Sequence, residues 1–132
     1  MTMEMAIAVD RLCRFIDANL DHPLDLGLLE RTSGLSARTL QLQFRQQFGC
    51  TPLQWVRTRR LERARQRLQE GHGEDSIIEI ALSCGFNHPS MFSAYYRQRF
   101  GELPSATLRQ ARCKEQAVPA RPAATVIVWT YG

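Results

Sequence analysis

Phe44-Arg45-Gln46-Gln47-Phe48-Gly49 returns as Tyr96-Arg97-Gln98-Arg99-Phe100-Gly101, an offset of 52 positions (44 to 96). A proline stands three residues after each glycine, at Pro52 and Pro104. Upstream, residues 29–34 (LERTSG) align with residues 80–85 (IALSCG) at an offset of 51 (29 to 80), so the second copy carries one extra residue. Aromatic residues four apart in a polar run describe the buried face of a helix. A glycine followed by proline ends one helix and opens the next. Each copy therefore reads as short helix, turn, second helix. Two such units suit a partner that is itself periodic, and duplex DNA is one.

Working outward, residues 4–20 place Val9, Leu12, Phe15, Ile16 and Leu20 on one helical face, and His22-Pro23 ends that helix. Residues 25–32 form a short helix with Gly34 as its left-handed exit, and Ser36 caps a helix over 37–48 that Gly49 ends. Thr51-Pro52-Leu53-Gln54 is a capping box with proline at the first helical position. Its helix runs to about Glu70. Ser76-Ile77-Ile78-Glu79 is a second capping box, for a helix ending at Gly85. His88-Pro89 opens a helix over 89–100, and Pro104 opens a last one to about Arg112. The expected fold is all-α: two helix-turn-helix subdomains of about seven helices in total, joined by a long central helix. The divisions are 1–51, the linking helix 52–70, 71–113, and a tail over 114–132. Pro119 and Pro122 argue against helix in the tail. Residues 125–131 (TVIVWTY) are uncharged and β-prone, either disordered or loosely docked.

The chain of 132 residues has a formal net charge of +4, and its basic side is one-sided, with 16 arginines against the single Lys114. Arginine's rigid fork of donors suits phosphates and base edges, although a general bias toward arginine gives the same count. Cys13, Cys50, Cys84 and Cys113 are far apart, and His22, His72 and His88 add no ligand spacing, so four reduced thiols and no metal or cofactor are expected. Glu4 and Asp10 interrupt any signal-peptide core, and no apolar run reaches membrane-spanning length. A cytoplasmic protein without a membrane partner is the expectation.

In helix 37–48, Leu40, Phe44 and Phe48 form the inward face. Arg38, Leu42, Arg45 and Gln46 face outward, with Thr39 and Gln41 at the edges. In helix 89–100 the inward set is Phe92, Tyr96 and Phe100. The outward set is Ser90, Ala94, Arg97 and Gln98, edged by Ser93 and Met91. A polar face is ordinarily just solvated. Repetition argues for more, and so does the linking helix, with Arg57, Arg59, Arg60, Arg63, Arg65 and Arg67. Arg59, Arg63 and Arg67 form a row four apart, available to DNA. Arg57 and Arg60 lie near the apolar stripe and should cover the core or pair with a carboxylate. A helix of this length spans about 28 Å, against about 34 Å between successive major-groove faces.

Residues 40–49 (LQLQFRQQFG), 59–64 (RRLERA), Ile80-Ala81, Gly85-Phe86 and 92–104 (FSAYYRQRFGELP) together resemble the AraC/XylS-type transcriptional regulators, over about residues 7–112. The resemblance implies two helix-turn-helix subdomains on a long helix, and binding to asymmetric double-stranded promoter sites. It also implies activation through contact with RNA polymerase. Larger members add an effector-binding and dimerisation domain, for which this chain has no room. An effector ligand is therefore expected to act only through a domain absent from it. Four positions depart from the family pattern. Leu42 and Ala94 stand where an outward arginine is usual. Glu30 stands where a small residue is favoured, and His88 takes a cap position that often holds Asp or Ser.

The DNA-binding residues expected are Arg38, Thr39, Gln41, Leu42, Arg45 and Gln46 in the first copy, and His88, Ser90, Ser93, Ala94 and Arg97 in the second. Leu42 and Ala94 would touch thymine methyls, with base hydrogen bonds from Arg38, Gln41 and Ser90 or Ser93. Alternatively, the second copy supplies mainly phosphate contact through Arg97. The rival functions are a helical protein-interaction module and an enzyme. Paired carboxylates, a His/Cys pair and a phosphate-cradling glycine loop are all lacking at useful spacing.

Overall fold

A computed structural model describes residues 2–71 and 76–117, without the side chains of 114–117. Seven helices and no strand occur among the described residues. They are α1 (Met3–Ala18), α2 (Leu26–Ser33), α3 (Ala37–Phe48), α4 (Pro52–Glu70), α5 (Ile77–Ser83), α6 (Pro89–Phe100) and α7 (Pro104–Ala117).

Local chemistry sets most of these ends. Thr2, Asp25, Ser36, Thr51 and Ser76 each accept a hydrogen bond from an amide in the first turn of the helix that follows, and Thr51 and Ser76 complete capping boxes with Gln54 and Glu79. Gly34, Gly49, Gly71 and Gly101 end α2, α3, α4 and α6 in the left-handed region. Three ends differ from expectation. α1 stops at Ala18 with Asn19 as its cap, so Leu20 lies beyond the helix rather than in it. The cap of α5 is Cys84, with Gly85 one residue beyond it at φ 97°. α7 runs to Ala117 rather than Arg112. Gln110, Ala111 and Lys114 all favour helix, and the first residue that opposes it is Pro119. Residues 114–117, assigned above to the tail, are thus helical. The rest of the tail, including 125–131, lies outside the described residues.

Two apolar clusters form. Val9, Leu12, Ile16, Leu20, Leu29, Leu40, Phe44 and Val56 bring α1, α2, α3 and the start of α4 together. Leu61, Ala64, Leu68, Ile80, Ala81, Phe92 and Tyr96 join the rest of α4 to α5 and α6. Each fully buried large side chain contributes about 1.5–3 kcal/mol. α4 thus gives one stretch of its apolar stripe to each cluster.

The clusters are built differently at equivalent positions. In the first, Phe44, Phe48 and Trp55 pack as an aromatic group, Phe48 and Trp55 stacked with centroids 4.2 Å apart. In the second, Tyr96 and Phe100 take the places of Phe44 and Phe48 and pack with centroids 4.7 Å apart, but Thr107 takes that of Trp55, each 52 positions on. Tyr96 Oη donates to Thr107 Oγ1 at 2.7 Å, and Thr107 in turn donates to Glu102.

Candidate nucleic-acid interface

The two helices with outward polar faces each rest on α4. On α3, Arg38, Gln41, Leu42, Arg45 and Gln46 are exposed, and Leu42 is 54% accessible. Thr39 is half-buried, and its hydroxyl accepts from Ser36 Oγ at 3.0 Å. It braces the cap as well as edging the face. Gln43, read from sequence as neither inward nor outward, is buried, and its Oε1 has no hydrogen-bond partner.

On α6, Ser90, Ala94 and Arg97 are exposed and Ser93 is half-buried. His88 is exposed at the N-cap and makes no side-chain cap bond. The two N-termini therefore differ. At α3, Glu30 Oε2 accepts from the Ala37 amide at 2.8 Å and Ser36 Oγ from the Thr39 amide at 3.2 Å. That explains Glu30, which the family pattern does not: its carboxylate caps the neighbouring helix and opposes the dipole there. At α6 no carboxylate takes this place among the described contacts, and Pro89 already lacks an amide hydrogen.

The arginines of α4 are engaged by other parts of the protein, including the row of Arg59, Arg63 and Arg67. Arg59 Nε donates to Asp17 Oδ1 at 2.8 Å, and its NH1 donates to Glu62 at 2.7 Å. Arg63 NH2 donates to the Asp17 carbonyl at 2.9 Å, and Arg67 donates to Ser83 Oγ. Arg65 lies over the Phe100 ring, 4.6 Å from its centroid. Arg57 and Arg60 are committed inward as expected, but to no carboxylate. Arg57 sits 4.0 Å from the Tyr95 ring centroid. Arg60 donates to the carbonyls of Leu20 at 2.9 Å and His22 at 2.8 Å.

All six α4 arginines thus tie the linking helix to elements on either side of it. Helical periodicity alone could not distinguish this from a DNA-facing row, because the acceptors lie far along the chain: Asp17, Leu20 and His22 are 38–46 residues upstream, and Ser83 is 16 residues downstream. By contrast, Arg38, Arg45 and Arg97 form no ion pair among the described residues. They place free cationic charge on the outward faces of α3 and α6.

Burial raises the thiol pKa of Cys13 to about 11, with Asp17 and Asp10 adding to it, and burial also raises Cys50 and Cys84. These thiols are held in their unreactive neutral form. Among the described residues no group of three or more His, Cys, Asp and Glu side chains is placed to hold a metal. Nor is any helix long and apolar enough to cross a membrane.

A family profile described as a helix-turn-helix domain matches residues 29–110. The XylDLEGF operon transcriptional activator 1 of Pseudomonas putida is 37% identical over 118 residues, which cover 86% of this chain and 36% of that protein. The HTH-type transcriptional activator RhaS of Pectobacterium carotovorum is 34% identical over 108 residues, covering 82% of this chain and 38% of that protein. This chain therefore spans little more than a third of the length of these curated relatives. Among solved structures, an AraC-type regulator from Chromobacterium violaceum superposes with a TM-score of 0.74 at 32% identity, over 80% of this chain and 93% of that one. The DNA-binding domain of AdpA, solved in complex with a target DNA, superposes with a TM-score of 0.72 at 30% identity, over 81% of this chain and 95% of that one.

Proposed function

The chain belongs to the AraC/XylS-type family of helix-turn-helix regulators, and from that premise we propose that it binds double-stranded promoter DNA, with α3 and α6 entering two successive major grooves. The observation that carries this reading is the division of arginines. Those of α4 are bound internally, while Arg38, Arg45 and Arg97 stand unpaired on two outward helix faces. Unpaired arginine on an exposed helix face is what phosphate and base-edge contact require.

Within that reading, Arg38 and Gln41 hydrogen-bond bases, and Leu42 meets a thymine methyl. Arg45, Gln46 and Thr39 position α3 on the backbone. On α6, Ser90, Ser93 and Ala94 offer short side chains that discriminate less, and His88 and Arg97 contact phosphate. Residues 1–51 and 71–113 are the two subdomains and 52–70 the link. The protein regulates transcription in the bacterial cytoplasm, as an activator contacting RNA polymerase, and carries out no catalysis. Any effector acts through sequence outside the region shared with the relatives. A gel-shift titration against mixed duplexes at several salt concentrations tests this. Binding that falls steeply with salt is the expected result. Failure to bind any duplex at low salt would leave the rival, a helical protein-interaction module.

A further inference from the structure

α4 is the element both halves share. The main helix contacts run α1–α2, α2–α3 and α3–α4 on one side, and α4–α5, α4–α6 and α4–α7 on the other. The separation of α3 from α6 then depends on α4 and on whatever bridges the halves across it. Among the described residues a chain of ion pairs and a close-packed junction do so.

One is a charged relay from α1 to α6. Asp17 pairs with Arg59 at 2.8 Å, Arg59 with Glu62 at 2.7 Å, and Glu62 with Arg99 at 3.2 Å. Its side chains are 37–44% exposed, so water and salt weaken it.

The other is a three-way junction at Arg60. Its guanidinium donates to the carbonyls of Leu20 and His22, both in the link between α1 and α2. Gly85, in the turn between α5 and α6, lies against the same groups. A Cβ at that position would collide with the Leu20 carbonyl oxygen and come within 2.5 Å of Arg60 Nε and 2.9 Å of its Cζ. Backbone of the first half, side chain of the link and backbone of the second half meet with no room for a methyl group. The junction is anchored on both sides, since Leu20 is buried in the first cluster and Phe86 in the second. Pro89 opens α6 four residues after Gly85 (85 to 89).

We propose that Arg60, seated against Gly85, is the positioning residue that fixes the separation of the two reading helices and so sets which spacing between half-sites the protein accepts. The proposal deepens the two-helix DNA reading above, and its spacing consequence rests on that reading.

Two variants test it. Arg60→Met keeps the stem and removes the donors. Arg60→Lys keeps the charge but reaches one carbonyl at a time. In the free protein, the distance between spin labels at Gln46 and Gln98, carried on a non-canonical amino acid, is measured by pulsed dipolar resonance. One narrow distribution is expected for the parent, a broad one for Arg60→Met and an intermediate one for Arg60→Lys. On DNA, one base pair added or removed between half-sites should weaken the unlabelled parent about tenfold, and Arg60→Met less than about threefold. A parent-like distribution in Arg60→Met, or in Arg60→Lys should the first variant not fold, overturns the positioning role whatever the DNA result. A broadened distribution with unchanged spacing dependence overturns the link to site choice. A broadened distribution in a protein that binds no duplex keeps the positioning role and rejects the DNA reading.

Discussion

Gly34 and Gly85 sit at the same step of the two copies, at φ 76° and 97°, and they are there for different reasons. Around Gly34 there is open space, so only its left-handed backbone demands glycine. Gly85 also lies against Leu20 and Arg60, where the halves meet. The same contrast recurs elsewhere. Both copies keep a ring pair, Phe44 with Phe48 and Tyr96 with Phe100, but Trp55 stacks on Phe48 where Thr107 instead accepts from Tyr96 and donates to Glu102. A capped, carboxylate-closed N-terminus opens α3, where α6 has a bare His88. The glycines that end α3 and α6, Gly49 and Gly101, and the prolines that open the next helices, Pro52 and Pro104, are kept in both copies. Positions that pack, cap across helices or face outward have diverged, and the divergence gives α3 the longer polar side chains.

The largest effect should come from the glycines. Gly34→Ala carries only the left-handed backbone cost, about 1–2 kcal/mol of folding stability. Gly85→Ala adds a collision with a backbone carbonyl that cannot move alone, and should cost about 3 kcal/mol or more. Urea denaturation of the two variants checks this, and equal losses would erase the distinction.

Next are the reading faces. Arg38→Ala should weaken binding to the preferred duplex by about 1–3 kcal/mol and relax base choice at one position, whereas Ser90→Ala at the equivalent place in α6 should cost under about 1 kcal/mol. Equilibrium titration of both variants on one duplex decides, and a larger loss for Ser90→Ala would reverse the assignment. Leu42→Arg, which restores the family's usual residue, should change the preferred base at one position.

Of comparable or smaller size is the core difference. Tyr96→Phe removes the bond to Thr107 and should cost about 0.5–1.5 kcal/mol. Phe44→Tyr would bury a hydroxyl among aromatic rings and should cost about 1–3 kcal/mol if no partner is found. Thermal melts of both variants compare them.

The smallest effect is on pH. The Cys13 thiol is raised from 9.0 to about 11 and the Tyr96 phenol is raised from 10.0, both mainly by burial. In each case the unfolded chain loses its proton first. The Cys13 contribution is therefore complete below about pH 9 and is lost as pH rises through about 11, and the Tyr96 contribution falls as pH rises above about 10. Cys13→Ala should shrink that alkaline fall in stability without abolishing it, because Cys50, Cys84 and Tyr96 remain. Denaturation midpoints at pH 8, 9.5 and 11, rough settings chosen to bracket the titration, check the slope.

Sequence legibility follows the same division. The starts of α2 through α7 are readable because their signals are local: Asp25, Ser36, Thr51 and Ser76 as caps, Pro89 and Pro104 as first residues. The outward placement of Arg38, Gln41, Leu42 and Arg45 is readable from helical period. The partners of Arg59, Arg60 and Arg63 are not, because they lie near residues 17–22 and two of these arginines bond carbonyls, which every residue has. Glu30 looked like a misfit for close helix packing, and only the position of Ala37 reveals it as a cap. α7 runs past Arg112 to Ala117 because no residue opposes helix there before Pro119.

The central claim is that the two copies share a frame but read DNA unequally. Selection of bound sites from a random duplex pool tests it most directly. The expected consensus has two half-sites about 10–10.5 base pairs apart, centre to centre, one strongly specified and one weak. Arg38→Ala should erode the strong half and leave the weak one unchanged. Two equally specified halves, or a strong half that survives Arg38→Ala, would contradict it.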